Sequence, residues 1–194
     1  TMYLTTSPEF HMKRLVAVGM DRVFQVTRAF RDHESGDRHN PEFTMIEWYR
    51  AGEDYEAIMR DCEQLLEHLA QDLRGCADSP AVPGLRPALD LAAPYPRVTY
   101  IEAFARAGVT EPLSLDFDER CRLLADEVET RVGVTAAEFL CDYPLDQASL
   151  ARPKPGAPHL AERFELYAAG LELANGFSEL PDADAYLARC EADL

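Results

Sequence analysis

Apolar side chains recur at helical spacing in several stretches of the chain, each with helix start or stop residues beside it. Near the N-terminal end such a stretch follows TSPE at residues 6–9, which predicts a helix with Thr6 or Ser7 as its N-cap. Residues 54–73 predict a longer amphipathic helix, because apolar residues recur along one side. Further helices are predicted over residues 99–108 (from a Thr99–Glu102 capping box), over residues 118–131, and from Asp182 or Asp184 onward.

Strand-forming residues dominate four other stretches. Residues 23–31 and 42–50 predict two strands joined by a charged loop over residues 32–41, which is longer than the usual hairpin loop and therefore a candidate for function. In the second strand, alternation places Phe43, Met45, Glu47 and Tyr49 on one face. Two more strands are predicted, over residues 137–143 and 163–173.

The order of these elements indicates the fold class. A helix, two strands and a helix are followed by a proline-rich connector over residues 75–97, and then by helices, strands and a last helix. This order lacks the regular alternation of a doubly wound sheet, so an α+β fold with an antiparallel sheet is predicted. A chain of 194 residues is long enough for one sizeable core or two small ones.

The net charge and its distribution restrict the possible ligands more than the composition does. The net charge of −16 makes bulk nucleic-acid binding a poor hypothesis, because an acidic surface repels a phosphate backbone. Residues 1–50 contain seven basic and seven acidic side chains, so the rest of the chain carries the whole net charge. The arginine-rich first segment is therefore the place where an anionic small ligand could bind.

Cysteine usage and hydropathy indicate the class of protein. The five cysteines are widely spaced and include no C-x-x-C pair, which argues against a disulfide framework and a zinc site and favours reduced thiols in a cytoplasmic protein. No apolar run approaches the roughly 20 residues of a membrane helix, and no signal peptide is visible.

One set of candidate functional residues lies around the long loop. The guanidinium of Arg31 can bind two phosphate oxygens at once, Phe43 could stack on a base, and Asn40, next to His39, could read the edge of that base. The alternative is an ordinary hairpin with surface charges, and spacing alone leaves both open.

A second set consists of carboxylates among apolar neighbours. Glu47, Glu172 and Glu179 could converge on an ammonium group or on a divalent cation, or each could face solvent. Asn175-Gly176 between the last two indicates a turn or bulge, so their relative facing stays open.

Longer motifs carry a family resemblance. TTSPE at residues 5–9, FR at 30–31 and RHNPEFTM at 38–45 resemble the catalytic domain of class II lysyl-tRNA synthetases, and residues 31–43 resemble its motif 2. The bacterial paralogues that lysylate elongation factor P are more similar still, through FHMKRL (10–15), EWYR (47–50), YP with QASLA (143–144 and 147–151) and ELANGF (172–177). The resemblance is good over residues 1–72 and 136–194 and weak between them.

The resemblance implies a class II synthetase-like antiparallel sheet flanked by helices. Residues 1–194 would be part of that catalytic domain, with motif 2 at about 23–50, a connector and helical region at 75–135, and the last strands and helix at 136–194. Motif 1 would precede Thr1 and motif 3 would follow Leu194, and the full-length protein would be a homodimer.

The resemblance also implies roles for individual residues. Arg31 would be catalytic, by holding the α-phosphate of ATP. Other ATP contacts would come from Glu34, His39, Asn40, Phe43, Glu172 and Leu173. The amino-acid pocket would comprise Ser7, Glu9, Glu47, Tyr49, Asn175 and Glu179. Magnesium would bind Glu172 and Glu179. The family's Arg-x-Glu has His33 in place of its glutamate, so either Glu34 serves instead or that contact is altered.

The activity so implied is ATP-dependent activation of a lysine-type amino acid, (R)-β-lysine, as its adenylate, with transfer to a lysine side chain of elongation factor P. One alternative is a lysyl-tRNA synthetase fragment that charges tRNA(Lys). The other is a paralogue that binds the amino acid and ATP without catalysis.

Overall fold

The computed structural model describes residues 3–32, 36, 39–75, 91–148 and 150–192. The chain divides into two compact units, Thr1–Glu53 and Asp54–Leu194. The first unit contains a two-stranded sheet, and the second contains a four-stranded and a two-stranded sheet.

The first unit is a helix followed by a long hairpin. It contains α1 (Glu9–Ala17), β1 (Arg22–Phe30) and β2 (Glu42–Arg50). The two strands pair antiparallel over nine residues each, from Arg22 opposite Arg50 to Phe30 opposite Glu42, which confirms the predicted strand pair. The predicted N-cap of α1 is wrong, because Pro8 occupies that position without a side-chain cap. Ser7 still contributes, since its Oγ accepts a hydrogen bond from the Glu9 backbone N–H at 3.0 Å.

The second unit contains the remaining elements. Its helices are α2 (Tyr55–Gly75), α3 (Tyr100–Arg106), α4 (Phe117–Leu123) and α5 (Ala183–Ala192). Its strands are β3 (Arg97–Thr99), β4 (Glu138–Cys141), β5 (Pro153–Lys154), β6 (Ala157–Ala161), β7 (Arg163–Ala168) and β8 (Leu171–Phe177). The predicted capping box of α3 is confirmed, with Thr99 and Glu102 bonding each other's backbone N–H. Asp182 rather than Asp184 opens α5, because its carboxylate accepts from the Ala185 N–H at 3.0 Å.

The main sheet of the second unit has the strand order β3-β4-β7-β8. β4 and β7 pair antiparallel, as do β7 and β8, and α2 packs against β7 and β8. β3 pairs parallel with β4 at one edge, so the predicted antiparallel sheet also contains one parallel pair, and the α+β class is confirmed. A strand of three residues is too short to show an alternating pattern, which is why the sequence did not reveal it.

The predicted strand over residues 163–173 is wrong, because it is interrupted by a tight turn. Ala169 and Gly170 both have positive φ, 55° and 77°, as the type I′ turn of a two-residue hairpin requires. Alanine rarely occupies the first of these positions, so the usual Asn-Gly or Asp-Gly signal is missing. The hairpin places β8 antiparallel to β7 along most of its length.

The predicted helix over residues 118–131 is present but irregular. Asp116 caps α4 by accepting from the Glu119 N–H, and after α4 the chain widens into a π-helical segment, Leu124–Val128, and then tightens into a 3-10 turn, Glu129–Arg131. Val128 and Val132 are fully buried against α3 and β4 in one apolar cluster with Phe104 and Leu140. The packing of these side chains sets the local winding, which periodicity alone does not specify.

The cysteines whose side chains the structure describes carry free thiols, as their spacing predicted. Cys62, Cys121 and Cys141 are free thiols, whereas Cys76 and the side chain of Cys190 lie outside what the structure describes. In the parts of the chain that the structure describes, every helix is too short or too polar to cross a membrane.

Candidate active site

Four predicted amino-acid-pocket residues of the first unit lie together. Ser7 Oγ donates to Glu47 Oε2 at 2.8 Å, and the Tyr49 hydroxyl donates to Glu47 Oε1 at 2.6 Å. Glu9 joins them because its backbone N–H donates to Ser7, while its carboxylate pairs with Lys13 at 2.7 Å. β2 makes this possible, since its alternation turns Glu47 and Tyr49 to the same, partly buried side. The result is an oriented carboxylate of the kind that binds an ammonium group.

Arg31 and Phe43 lie side by side where β1 ends and β2 begins. The Arg31 backbone N–H donates to the Pro41 carbonyl at 2.9 Å, and its guanidinium carbon lies 5.3 Å from the centre of the Phe43 ring. That distance is typical of a cation–π contact. The neighbouring residues His39 and Asn40 are exposed. Glu34 and His33 lie outside the described residues.

The predicted residues of the second unit are placed by a bulge in β8. Tyr167 pairs with Glu172 and Leu166 pairs with Ala174, so Leu173 is an extra residue with no partner in the described register of β7. The turn or bulge predicted at Asn175-Gly176 is wrong, because both residues pair in register with β7. Gly176 serves packing instead, because a Cβ there would lie 2.7 Å from the ring of Phe164.

This bulge decides which way the candidate ligands face. Tyr167 and Glu165 lie two residues apart on β7, so they share a face, and so do their partners Glu172 and Asn175. Without the extra residue, Glu172 and Asn175 would face opposite sides of the sheet. Glu179 lies just beyond β8, in an isolated bridge with Ala151, and Glu172, Asn175 and Glu179 are all exposed.

The described side chains do not form a complete metal site by themselves. Across the described ranges, no group of three or more His, Cys, Asp and Glu side chains could hold a metal ion. Glu172 and Glu179 are exposed carboxylates, which suit an oxygen-seeking ion such as Mg²⁺ that also binds phosphate oxygens. A magnesium role for these two residues therefore stays a prediction.

The sequence missed a polar cluster on the same face of the sheet. Glu165 is 7% exposed, and its carboxylate accepts from Arg163 and from the hydroxyls of Tyr143 and Tyr167, both at 2.6 Å. Burial and the adjacent Glu165 charge raise the pKa of both tyrosines, so both hydroxyls stay protonated and donate. The available signal was Arg-x-Glu-x-Tyr, with charged residues at alternate positions of an otherwise apolar strand.

Comparison with known proteins identifies the family. The family model described as tRNA synthetases class II (D, K and N) matches residues 1–193. The chain belongs to this class II tRNA synthetase family. This confirms the predicted class II synthetase-like α+β fold, and it confirms the resemblance that the motifs around Arg31 and Glu172 indicated.

Three curated relatives of this chain bear the name elongation factor P–(R)-beta-lysine ligase. The Vibrio cholerae protein is 38% identical over 199 residues, which cover 99% of this chain and 60% of the relative. The Photobacterium profundum protein is 38% identical over 202 residues, covering 100% of this chain and 61% of the relative. The Mannheimia succiniciproducens protein is 39% identical over 206 residues, covering 100% and 60%. The chain therefore spans about 60% of the length of these relatives.

Proposed function

We propose that the protein containing this chain activates a lysine-type amino acid, (R)-β-lysine, with ATP and transfers it to a lysine side chain of elongation factor P. The observation that carries the proposal is the Glu47 carboxylate, oriented by Ser7 and Tyr49 within a class II synthetase chain. A carboxylate held in this way selects a cationic amino acid, since it offers an ammonium group a charged acceptor whose position is already fixed.

The geometry of the first unit supports roles that the family resemblance implies. Arg31 would bind the α-phosphate of ATP and the negative charge that develops there during reaction, because its planar fork matches phosphate oxygens. Phe43 would stack on adenine, with Asn40 at the edge of the base and His39 near the terminal phosphates. The cation–π contact between Arg31 and Phe43 supports the pairing, since it keeps a phosphate-binding group and a stacking surface side by side.

In the second unit, the bulge in β8 supports roles that the family resemblance implies. Glu172 would contact ATP together with Leu173, whose backbone is freed from the ladder with β7. Asn175 and Glu179 would contact the amino acid. Glu172 and Glu179 would hold Mg²⁺, which when bound neutralises charge on the phosphates of ATP.

The reaction needs positioning and electrostatic stabilisation rather than a protein nucleophile. In the first step a carboxylate oxygen of the amino acid attacks the α-phosphorus of ATP, and pyrophosphate leaves. In the second step the ε-amine of the acceptor lysine attacks the carbonyl carbon of the adenylate, AMP leaves, and an amide forms. Arg31 serves the first step by stabilising negative charge, and Glu47 serves both by orienting the amino acid.

The acceptor distinguishes this proposal from a tRNA synthetase. The curated relatives bear the name of a ligase for elongation factor P, which favours the protein acceptor over tRNA(Lys). A binding-only paralogue is disfavoured by retention of both the Arg31–Phe43 pair and the oriented Glu47.

The test incubates full-length protein with ATP, labelled (R)-β-lysine or lysine, and either elongation factor P or tRNA(Lys). Label is expected on elongation factor P, with (R)-β-lysine preferred, and it should be absent when arginine replaces the acceptor lysine. Label on tRNA(Lys) alone would overturn the choice of acceptor, and amino-acid-dependent pyrophosphate exchange without any transfer would overturn the second step. No exchange at all would leave only a binding protein.

A further inference from the structure

The guanidinium of Arg163 is held on several sides at once. Its central carbon lies 4.3 Å from the centre of the Tyr143 ring, one terminal nitrogen donates to the Gln147 carbonyl, and the other donates to Glu165. Such multiple contacts leave a side chain little rotational freedom. Arg163 is therefore a fixed donor on the sheet face that also carries Asn175.

Glu165 keeps Arg163 in this position. Its carboxylate is nearly fully buried. An unpaired charge at such a site is costly, so loss of any of its three hydrogen-bond donors would be strongly unfavourable. The two tyrosine hydroxyls occupy one carboxylate oxygen, Oε2, and Arg163 occupies the other. The arrangement leaves Arg163 a single orientation that satisfies every partner.

The remaining nitrogen of Arg163 reaches the candidate substrate residue. Its Nε lies 3.4 Å from Asn175 Oδ1, across the β7–β8 ladder. An arginine side chain only donates hydrogen bonds, so the amide oxygen of Asn175, and not its nitrogen, has to face it. Asn175 is exposed, so its two N–H groups are the part of the amide that a ligand on this face meets.

We propose that Arg163, anchored by Glu165, is a positioning residue that fixes the Asn175 amide with its N–H groups toward the substrate. The inference rests on the proposed function, in which Asn175 contacts the amino acid. In this orientation Asn175 donates to an oxygen of the substrate and cannot accept from its ammonium groups. Without Arg163, the amide has two orientations about its broad terminal torsion, and one of them presents the wrong atom.

The first test is a double-mutant cycle in full-length protein, read by amino-acid-dependent ATP–pyrophosphate exchange. Arg163→Lys keeps the positive charge beside Glu165, but a single ammonium group cannot reach Glu165, the Gln147 carbonyl and Asn175 together. We expect it to raise the KM for the amino acid about tenfold, or about 1.4 kcal/mol, with kcat and the KM for ATP nearly unchanged. In an Asn175→Ala background the same change should add less than about twofold.

A matched control comes from another ion pair of the same unit. Arg106 pairs with Glu138 of β4 at 2.8 Å, and neither residue pairs with Asn175 in the described register. Arg106→Lys should leave both KM values unchanged. If the increases in KM caused by Arg163→Lys and by Asn175→Ala instead multiply in the double variant, Arg163 acts independently of Asn175. The proposal is then overturned.

Asn175→Asp gives a second test that does not disturb Arg163. Aspartate keeps the shape and an oxygen for Arg163 but removes the N–H donors, so the KM for the amino acid should rise about tenfold. An amide that accepted from the substrate's ammonium group would give the opposite result, because the added negative charge would lower the KM. An unchanged or lowered KM for the amino acid in Asn175→Asp therefore overturns this inference. The proposed function is still supported in that case if the wild-type protein catalyses ATP–pyrophosphate exchange. Absence of exchange in the wild type overturns the proposed function, and this inference falls with it.

Discussion

Replacing Glu47 by glutamine tests the candidate amino-acid site most directly. Glu47 is partly buried, and its two oxygens accept separate hydrogen bonds, from Ser7 at 2.8 Å and from Tyr49 at 2.6 Å. Glutamine has the same shape, and a hydroxyl can accept from its amide as well as donate to its carbonyl. The variant therefore removes the negative charge while it leaves the cluster in place.

The size of the effect follows from the charge that is removed. Opposite charges about 4 Å apart near a protein surface attract by about 4 kcal/mol at an effective dielectric constant of about 20. Part of this is offset by desolvation of both groups, so we expect a net loss of about 2–3 kcal/mol. That loss corresponds to a rise of about 30- to 150-fold in the KM for the amino acid. The KM for ATP should change little, because ATP is anionic and is assigned to Arg31.

The assay is ATP–pyrophosphate exchange by full-length protein, with the amino acid and ATP varied separately. Glu42→Gln is the matched control, because it removes an exposed carboxylate of the same strand, which pairs across the hairpin with Arg28. Ser7→Ala and Tyr49→Phe each remove one hydrogen bond to Glu47 and should raise the KM for the amino acid by up to about tenfold. Equal rises in both KM values, or no rise in either, would refute the assignment of Glu47.

Two further predictions concern stability. Gly133→Ala should lower the free energy of unfolding by about 3 kcal/mol or more, since φ is +66° and the new Cβ would lie 2.3 Å from the Tyr167 carbonyl oxygen. Gly170→Ala, with φ +77° and no atom within 4 Å, should cost only about 1 kcal/mol, and equal losses in urea titrations would contradict the steric argument. Burial raises the pKa of Cys62 from 9.0 to about 12, so the folded protein keeps a proton that the unfolded chain releases. Stability should therefore fall as the pH rises from about 9 toward about 12, and Cys62→Ala should reduce that slope; an identical slope would show that the thiol does not contribute.

Local patterns predicted the parts of the fold whose information is local. The β1–β2 pair, the helix over residues 54–73 and the α3 capping box were all correctly predicted, because periodicity and caps act over a few residues. The same holds for the Glu47 side of the candidate site, since alternation along one strand turned Glu47 and Tyr49 together. The family motifs then assigned roles that spacing alone left open.

Local sequence patterns did not predict the features of the fold that depend on contacts between residues distant in sequence. The parallel pairing of β3 with β4 joins residues about 40 positions apart, and a three-residue strand has no pattern of its own. The turn at Ala169-Gly170 is held by pairing of β7 with β8 and not by the usual turn residues. Tertiary context overrides weak local preferences in such places.

The sequence by itself determined the family, the α+β class and the residue types of the proposed site, because these reside in contiguous motifs. Only the tertiary structure decided which of those residues face the same way. One extra residue, Leu173, turns Glu172 to the face of Asn175, since strand side chains alternate with a period of two. Only the structure showed that Arg163 bonds both Glu165 and Asn175, because hydrogen-bond geometry depends on strands that meet after folding.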